Sequence, residues 1–293
     1  MGKVLLIGGS GMLGHDAKEF LSSSGLEVEA PSSRELDASC RGVVEQFVKE
    51  GNFTHIVNCA AYTDTVGCER QCNRLVSFRL NATLPIVLAN ACKLNGCKLV
   101  HISTNEVFSD SYGDWKPRDE RCPTSVYGME KAAAELGIES KLPSDQFAIL
   151  RASWLFGAHR GKSFVHKVAG RIASGSELYG VIDEVSTPTS TRCLSTAILE
   201  AIVGKVCGTC HVVQSGGCVS RMVYMKRIVE SFHKMGKMNG TRVEDIVSAR
   251  TNDIPGLRKV GRIVLSDGLE IGYGNTWQHD LDELVSMENR TEN

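Results

Sequence analysis

The chain lacks an excess of either charge. Thirty-three Lys and Arg against 34 Asp and Glu leave a formal net charge of -1, which excludes the phosphate-neutralising surface of a dedicated nucleic-acid binder but leaves room for local anion sites. It also lacks an apolar run near the roughly 18 residues needed to cross a bilayer. The best, Leu84 to Ala91, is broken by Asn90 and followed by Lys93, so no membrane partner is expected. Lys3 to Ile7 runs straight into glycines without the longer apolar region and cleavage site of a signal peptide, so a cytoplasmic location is expected. A disulfide framework is missing too. The eleven cysteines are odd in number and irregularly spaced, which in the cytosol reads as reduced thiols in core positions. Cys207-Gly208-Thr209-Cys210-His211 spells a haem-attachment pattern, but with no export signal and a strand-like alternation it reads as a core strand. Cys68 and Cys72 read as neighbours on one helix, and Cys92 and Cys97 have no companion pair or histidine for zinc; no metal is expected.

What is present is an ordinary globular composition, 42% hydrophobic and 23% charged, which excludes a disordered chain. Its 293 residues suggest two domains or one large domain with an appended lobe. Proline is scarce at seven, whereas glycine reaches 29, so some feature uses the extra glycines. Short apolar runs alternate with segments of helical period through the first half. Strands are expected at Val4 to Ile7, Glu27 to Ala30, His55 to Asn58, Lys98 to Ser103 and Gln146 to Arg151. Helices are expected at Met12 to Ser23, Gly42 to Glu50, within Cys68 to Asn95, and at Ser125 to Leu142. The alternation implies an α/β fold, a doubly wound parallel sheet with helices on both faces and ligands at the carboxyl ends of its strands. Beyond Trp154 the alternation weakens, which points to a smaller mixed lobe. The expected division is 1–153 for the nucleotide-binding part, with later segments returning to it, 154–286 for the lobe, and a frayed tail over 287–293.

Three motifs carry chemistry. Gly8-Gly9-Ser10-Gly11-Met12-Leu13-Gly14 follows the first strand and opens a helix, where glycines permit a tight turn and close approach of a pyrophosphate to the helix N-terminus. A dinucleotide is the expected ligand, in a Rossmann-like setting. At the end of the second strand, Ala30-Pro31-Ser32-Ser33-Arg34 stands where an NAD site would place a carboxylate on the ribose. The missing acid, two hydroxyls and a guanidinium suit a 2'-phosphate, so NADPH is expected, with NADH allowed. Third, Ser103-Thr104 ends a strand, and Tyr127 and Lys131 lie four apart on one helical face. The lysine ammonium is expected to favour tyrosinate and lower the phenol pKa.

These residues resemble the extended short-chain dehydrogenases, and among them the dTDP-4-dehydrorhamnose reductases. The resemblance runs almost end to end: GGSGMLG, Glu35 to Asp37, Ile56 to Thr63, Asn81, His101 to Phe108, YGMEK, Arg151 to Gly157, Ser163 to Val165, and Asp183 to Thr189; Arg262 to Leu265 and Trp277 follow. It implies Thr104, Tyr127 and Lys131 as the catalytic group, with Tyr127 the proton donor and Lys131 also holding the nicotinamide ribose. It further implies that Gly8, Ser10, Gly11, Met12, Leu13, Gly14, Ser32, Ser33, Arg34 and Ser103 bind the cofactor. Asp37 and Ala38 would approach adenine, Cys59, Ala60 and Ala61 would line the cofactor by backbone, and Thr104, Asn105 and Trp154 would meet a nucleotide-sugar substrate. A homodimer is compatible with the resemblance. Val66, Gly67, Ser163 and Glu184 depart from the family pattern on the substrate side, which leaves the sugar open. Two other functions share the resemblance: a non-catalytic, NADP-binding regulatory subunit like the methionine adenosyltransferase beta subunit, and a nucleotide-sugar 4,6-dehydratase. The dehydratases carry Thr-Asp-Glu where this chain has Thr104-Asn105-Glu106, and an amide is not an acid.

Overall fold

The near-continuous apolar runs pair side by side and in parallel, as strands covered on both faces do. The computed structural model describes residues 2–110, 114–159, 163–236, 242–254 and 261–287. Along the first half come β1 (Lys3–Ile7), α1 (Met12–Ser23), β2 (Glu27–Glu29), α2 (Arg41–Gly51), β3 (His55–Asn58), α3 (Thr65–Cys68), α4 (Arg74–Phe78), α5 (Leu84–Asn95) and β4 (Lys98–Thr104). β5 (Asp114–Trp115), α6 (Val126–Glu139) and β6 (Phe147–Ala152) follow. The expected elements agree to within a few residues at their ends. Cys68 and Cys72 are a correction: α3 ends at Cys68, and Cys72 lies in the next 3-10 turn, Gln71–Asn73.

The second half supplies β7 (Leu155–Phe156), α7 (Phe164–Ala173), β8 (Tyr179–Val181), β9 (Val185–Ser186), β10 (Thr189–Ser190), α8 (Thr191–Ile202) and β11 (Gly208–His211). It closes with β12 (Val219–Ser220), α9 (Arg221–Lys234), β13 (Val247–Ala249), β14 (Val264–Leu265) and α10 (Trp277–Met287). Residues 288–293 of the expected tail fall outside the described residues.

The six-stranded sheet runs β11-β6-β4-β3-β1-β2. Its pairs are all parallel. β2 and β3 flank β1 on opposite sides, so the chain reverses its direction of travel at β1 and opens a crevice at the carboxyl ends of β1 and β3. Leu6 and Val57 face the layer containing Leu21 and Leu194, while Leu5 and Ile56 face the layer containing Val48 and Leu88. Fully burying each such side chain contributes on the order of 1.5–3 kcal/mol. The cysteine motif at Cys207 to His211 is indeed a strand, but it ends the six-stranded sheet rather than lying in its core: β11 pairs with β6, has a single parallel bridge from His211 to Gly268 on its other side, and is half-buried except at His211.

A separate apolar cluster under the second half gathers Phe156, Tyr224, Phe232, Trp277 and Leu281 from β7, α9 and α10. The helical run Gln71–Asn95 is long and apolar enough to cross a membrane by length and composition, contrary to the expectation from the sequence. It lies largely inside the fold, where α5 carries seven buried residues and packs on α2 and α6.

Candidate functional site

The glycine loop is shaped by contacts that only glycine permits. Gly8 has φ +86°, and a Cβ there would stand 2.6 Å from the Ala60 nitrogen. A Cβ on Gly14 would stand 2.1 Å from the Gly8 carbonyl oxygen, so helix and turn touch there. Between them Gly11 caps α1 with no side-chain hydrogen bond, and the first turn holds no acid. The backbone N–H groups at Met12, Leu13 and Gly14 therefore keep the anion-attracting character of a helix start. Beside this turn lies a cleft of about 350 Å³ lined by Gly8, Ser10, Ser33, Asp37, Ala38 and Ala60, among others. An uncapped helix start, a backbone cradle and an adjoining cleft fit a dinucleotide.

At the end of β2 the arrangement differs from the sequence expectation. Glu35 folds back so that its carboxylate accepts from the Ser32 N–H at 2.7 Å, and bonds to the Ser32 backbone and hydroxyl hold it below its usual pKa. An acid is therefore present at this turn, and it occupies Ser32. Ser33 lines the cleft, whereas Ser32 and Arg34 are exposed and outside its lining. Among the described residues lining the cleft, the arginine is Arg79, from the π-helical turn Arg79–Thr83 that follows α4. Asp37 accepts from the Ser39 hydroxyl at 2.7 Å and its N–H at 2.9 Å. Those bonds, with Arg79 adding, hold its carboxyl below the usual range.

The catalytic candidates converge where β4 ends and α6 begins. Ser125 caps α6 by accepting from the Gly128 N–H at 2.9 Å, which sets Tyr127 in the first turn. The Thr104 hydroxyl hydrogen-bonds the Tyr127 phenol. The expected lowering of that phenol by Lys131 is reversed: burial, then the charges of Glu106 and Cys68, push it well above its usual value, and Thr104 offsets them only in part. Lys131 turns instead to β4, donating to the Ile102 carbonyl at 2.6 Å and standing 2.9 Å from His101 Nε2. Burial lowers Lys131 to about 8, against the pull of Glu135 and Cys59. The Cys59 thiol, whose charge acts on Lys131, is pushed up to about 12 by burial.

Ser103 is a further correction, because its hydroxyl donates to Glu135 at 2.5 Å, into the interior. Burial raises the Glu135 carboxyl, but Arg151, Arg121 and Ser103 outweigh it and hold it below its usual range. This network braces α6 against β6; Ser103 supports the site rather than facing the cofactor. Ala61 is half-buried and lies outside the cleft lining.

On the substrate side, Asn105 is 4% exposed and its amide is already used. It donates to Ser186 Oγ at 3.2 Å and the Ile263 carbonyl at 3.0 Å, and accepts from Thr104 at 3.3 Å. It ties β4 to the second half of the chain, so the expected contact with the sugar is not what its side chain does here. Trp154 has φ +44° and lies two residues past Ala152, the β6 partner of Thr104. Its ring stacks on Tyr224 at 6.0 Å, and the Arg221 guanidinium covers it at 3.7 Å. Arg221 is held in turn by Glu184 at 3.2 Å. Among the described residues, His279, Asp280 and Glu283 bring three potential ligand atoms within 4.8 Å of one another. Asp280 accepts from Ser190, Gln214 and Tyr273, and Glu283 from Arg192.

Residues 2–256 match the family model described as RmlD substrate binding domain. The chain belongs to this family. Over 234 residues it is 31% identical to dTDP-4-dehydrorhamnose reductase of Mycobacterium tuberculosis, covering 78% of this chain and 75% of that protein. It is 30% identical over 227 residues to the spore coat polysaccharide biosynthesis protein SpsK of Bacillus subtilis, covering 74% and 75%. Among solved structures, the dTDP-4-dehydrorhamnose reductase of Clostridium acetobutylicum superposes with a TM-score of 0.85 at 28% identity, covering 98% of this chain and 99% of the other. The Bacillus anthracis dTDP-4-dehydrorhamnose reductase, solved in complex with NADP, gives 0.85 at 25% identity, covering 97% and 98%.

Within this RmlD-type chain, motif reading missed what five residues contribute. Arg79 sits two residues before the family-like Asn81, a weak signal. Asn81 itself is fully buried and donates to Glu130 at 2.8 Å, so the residue before Lys131 is anchored from the π-helical turn. Asn58, His101 and Glu106 lie inside or beside quoted motifs, but nothing in their spacing says that Asn58 meets His101, that His101 meets Lys131, or that the Glu106 charge acts on Tyr127.

Proposed function

We propose that the chain reduces the keto carbon of a nucleotide-linked 4-keto-6-deoxysugar with NADPH, as an oxidoreductase of nucleotide-sugar metabolism. The observation that carries this reading is the convergence of Thr104, Tyr127 and Lys131 at the end of β4, on the carboxyl edge of the sheet that also carries the cleft suited to a dinucleotide. Gly8 to Gly14 hold the pyrophosphate by backbone, and Asp37 and Ala38 receive the adenine end. Ser33 and Arg79 face the cleft where a 2'-phosphate gains charge-assisted hydrogen bonds. NADPH, when bound, supplies the hydride.

Tyr127 then supplies the proton. A phenol pushed upward stays protonated through neutral and moderately alkaline pH, so it is available to an alkoxide as that charge develops. Thr104 orients the phenol, and the Lys131 ammonium favours negative charge nearby. Trp154, with Arg221 over its face, forms the wall on the sugar-nucleotide side. Dehydration is disfavoured because Asn105 has no acidic proton and its amide is committed within the protein.

The test is NADPH consumption with a panel of nucleotide 4-keto-6-deoxysugars, with product identification, for the native chain and Tyr127→Phe. The Phe variant is expected to bind NADPH normally and turn over about a hundredfold more slowly, the scale of general acid catalysis. Tight NADPH binding with no consumption on any substrate would transfer the reading to a regulatory, cofactor-binding role.

A further inference from the structure

Lys131 is 2% exposed, and the atoms around its Nζ are disposed in an unusual way. The chain of contacts begins at Asn58, at the end of β3. Its Oδ1 accepts from the Ala60 N–H at 3.1 Å. That backbone group can only donate, so the orientation of the amide is settled and its Nδ2 must point the other way. Nδ2 stands 3.2 Å from His101 Nδ1. An amide nitrogen can only donate as well, so Nδ1 carries the lone pair. A neutral imidazole with a bare Nδ1 bears its proton on Nε2. It is that Nε2–H which faces Lys131 Nζ at 2.9 Å.

An ammonium has three donors and no acceptor, so it makes no hydrogen bond to an N–H. A neutral amine has one lone pair and accepts it, while still donating to the Ile102 carbonyl at 2.6 Å. We infer that Asn58 and His101 are positioning residues for Lys131: by pinning the imidazole as its Nε2–H tautomer, they favour the neutral amine over the ammonium. The inference rests on the proposed role of Lys131 in reduction.

The groups that face Lys131 come from three elements. His101 and the Ile102 carbonyl belong to β4, Cys59 follows β3, and Glu135 lies one turn along α6. Glu135 and Cys59 act to raise Lys131, and burial acts to lower it. His101 itself is fully buried, and burial followed by the Lys131 charge holds it well below its usual value, which keeps it neutral as the tautomer argument requires. Burial alone lowers a lysine too, so the decisive change is one that alters the tautomer and leaves burial in place.

Two substitutions do so. Asn58→Asp gives Nδ1 a carboxylate acceptor, moves the imidazole proton to Nδ1, and turns the Nε2 lone pair toward an ammonium. His101→Gln keeps a polar side chain in the same space but can rotate its carbonyl oxygen to Lys131, without adding charge. Nitrogen-15 NMR of labelled histidine reads the tautomer, and the carbon-13 shift of the Lys131 ε-carbon reads its titration, both without substrate. The native protein is expected to show the Nε2–H tautomer and Asn58→Asp the Nδ1–H tautomer. In each variant the Lys131 titration, and the alkaline fall of kcat, are expected to move up by about one pH unit or more. A native Nδ1–H or charged His101 overturns the inference, as does a Lys131 titration unmoved in His101→Gln. A native enzyme that consumes no NADPH while showing the expected tautomer and titrations overturns only the reductase reading.

Discussion

Replacing Lys131 with methionine removes the buried charge while keeping most of the apolar stem, so it isolates what that charge does to folding. In the folded chain burial takes Lys131 from 10.5 down to about 8. Below about 8 both folded and unfolded states hold the proton, and the folded state carries the ammonium in a poorly solvated place. Between about 8 and 10.5 the unfolded chain binds a proton that the folded chain does not, so native stability rises with pH through that window. A depressed lysine thus acts in the opposite sense to one that gains an acidic partner. Integrating the linkage from pH 7 to pH 10 gives the native protein a gain of about 2–3 kcal/mol relative to Lys131→Met. The measurement is urea unfolding of both proteins, free of cofactor, at about pH 7, 8.5 and 10. Only the difference between them is used, so titrations of cysteine and tyrosine common to both largely cancel. The lost hydrogen bond to Ile102 adds a roughly constant offset and does not alter the slope. Parallel stability curves, or a native protein that loses ground as pH rises, would refute the claim that Lys131 is buried at a neutral-range pKa.

The remaining predictions concern the cofactor and the reaction. Arg79→Ala is expected to weaken NADPH by about 1.5–3 kcal/mol, roughly ten- to 150-fold, with a much smaller effect on NADH, while Arg34→Ala changes either little. Calorimetric titrations that rank the two arginines the other way would return the 2'-phosphate to Arg34. Gly8→Ala forces a side chain to φ +86° and against Ala60. It should cost at least about 2 kcal/mol in urea unfolding, and a variant of native stability with native NADPH affinity would contradict the cradle. Incubating the chain with dTDP-glucose or UDP-glucose and NAD or NADP is expected to yield no 4-keto-6-deoxy product, and appearance of one would show that Asn105 does not block dehydration.

Element order and the glycine turn were legible along the chain because they follow from short-range rules. Val4 to Ile7 is apolar throughout because both faces of β1 are covered. Gly14 is fixed by sterics against Gly8 six residues away, Gly8 by its own left-handed φ of +86°, and the Tyr127 to Lys131 spacing by one helical turn. Those features need no knowledge of distant neighbours. The protonation states and hydrogen-bond partners did need it. Lys131 meets His101 across 30 residues, His101 meets Asn58 across 43, and Asn105 meets Ile263 across 158. Spacing alone suggested that Lys131 would lower the Tyr127 phenol, but packing buries the phenol and brings the charges of Glu106 and Cys68 to it, and these push it up. The same holds at the end of β2. A string of Ser32, Ser33 and Arg34 cannot reveal that Glu35 folds onto Ser32, nor that a later helical turn brings Arg79 to the cleft. Sequence determined which groups were available; tertiary structure decided which of them meet, because electrostatics and hydrogen bonding act through distance in space and not along the chain.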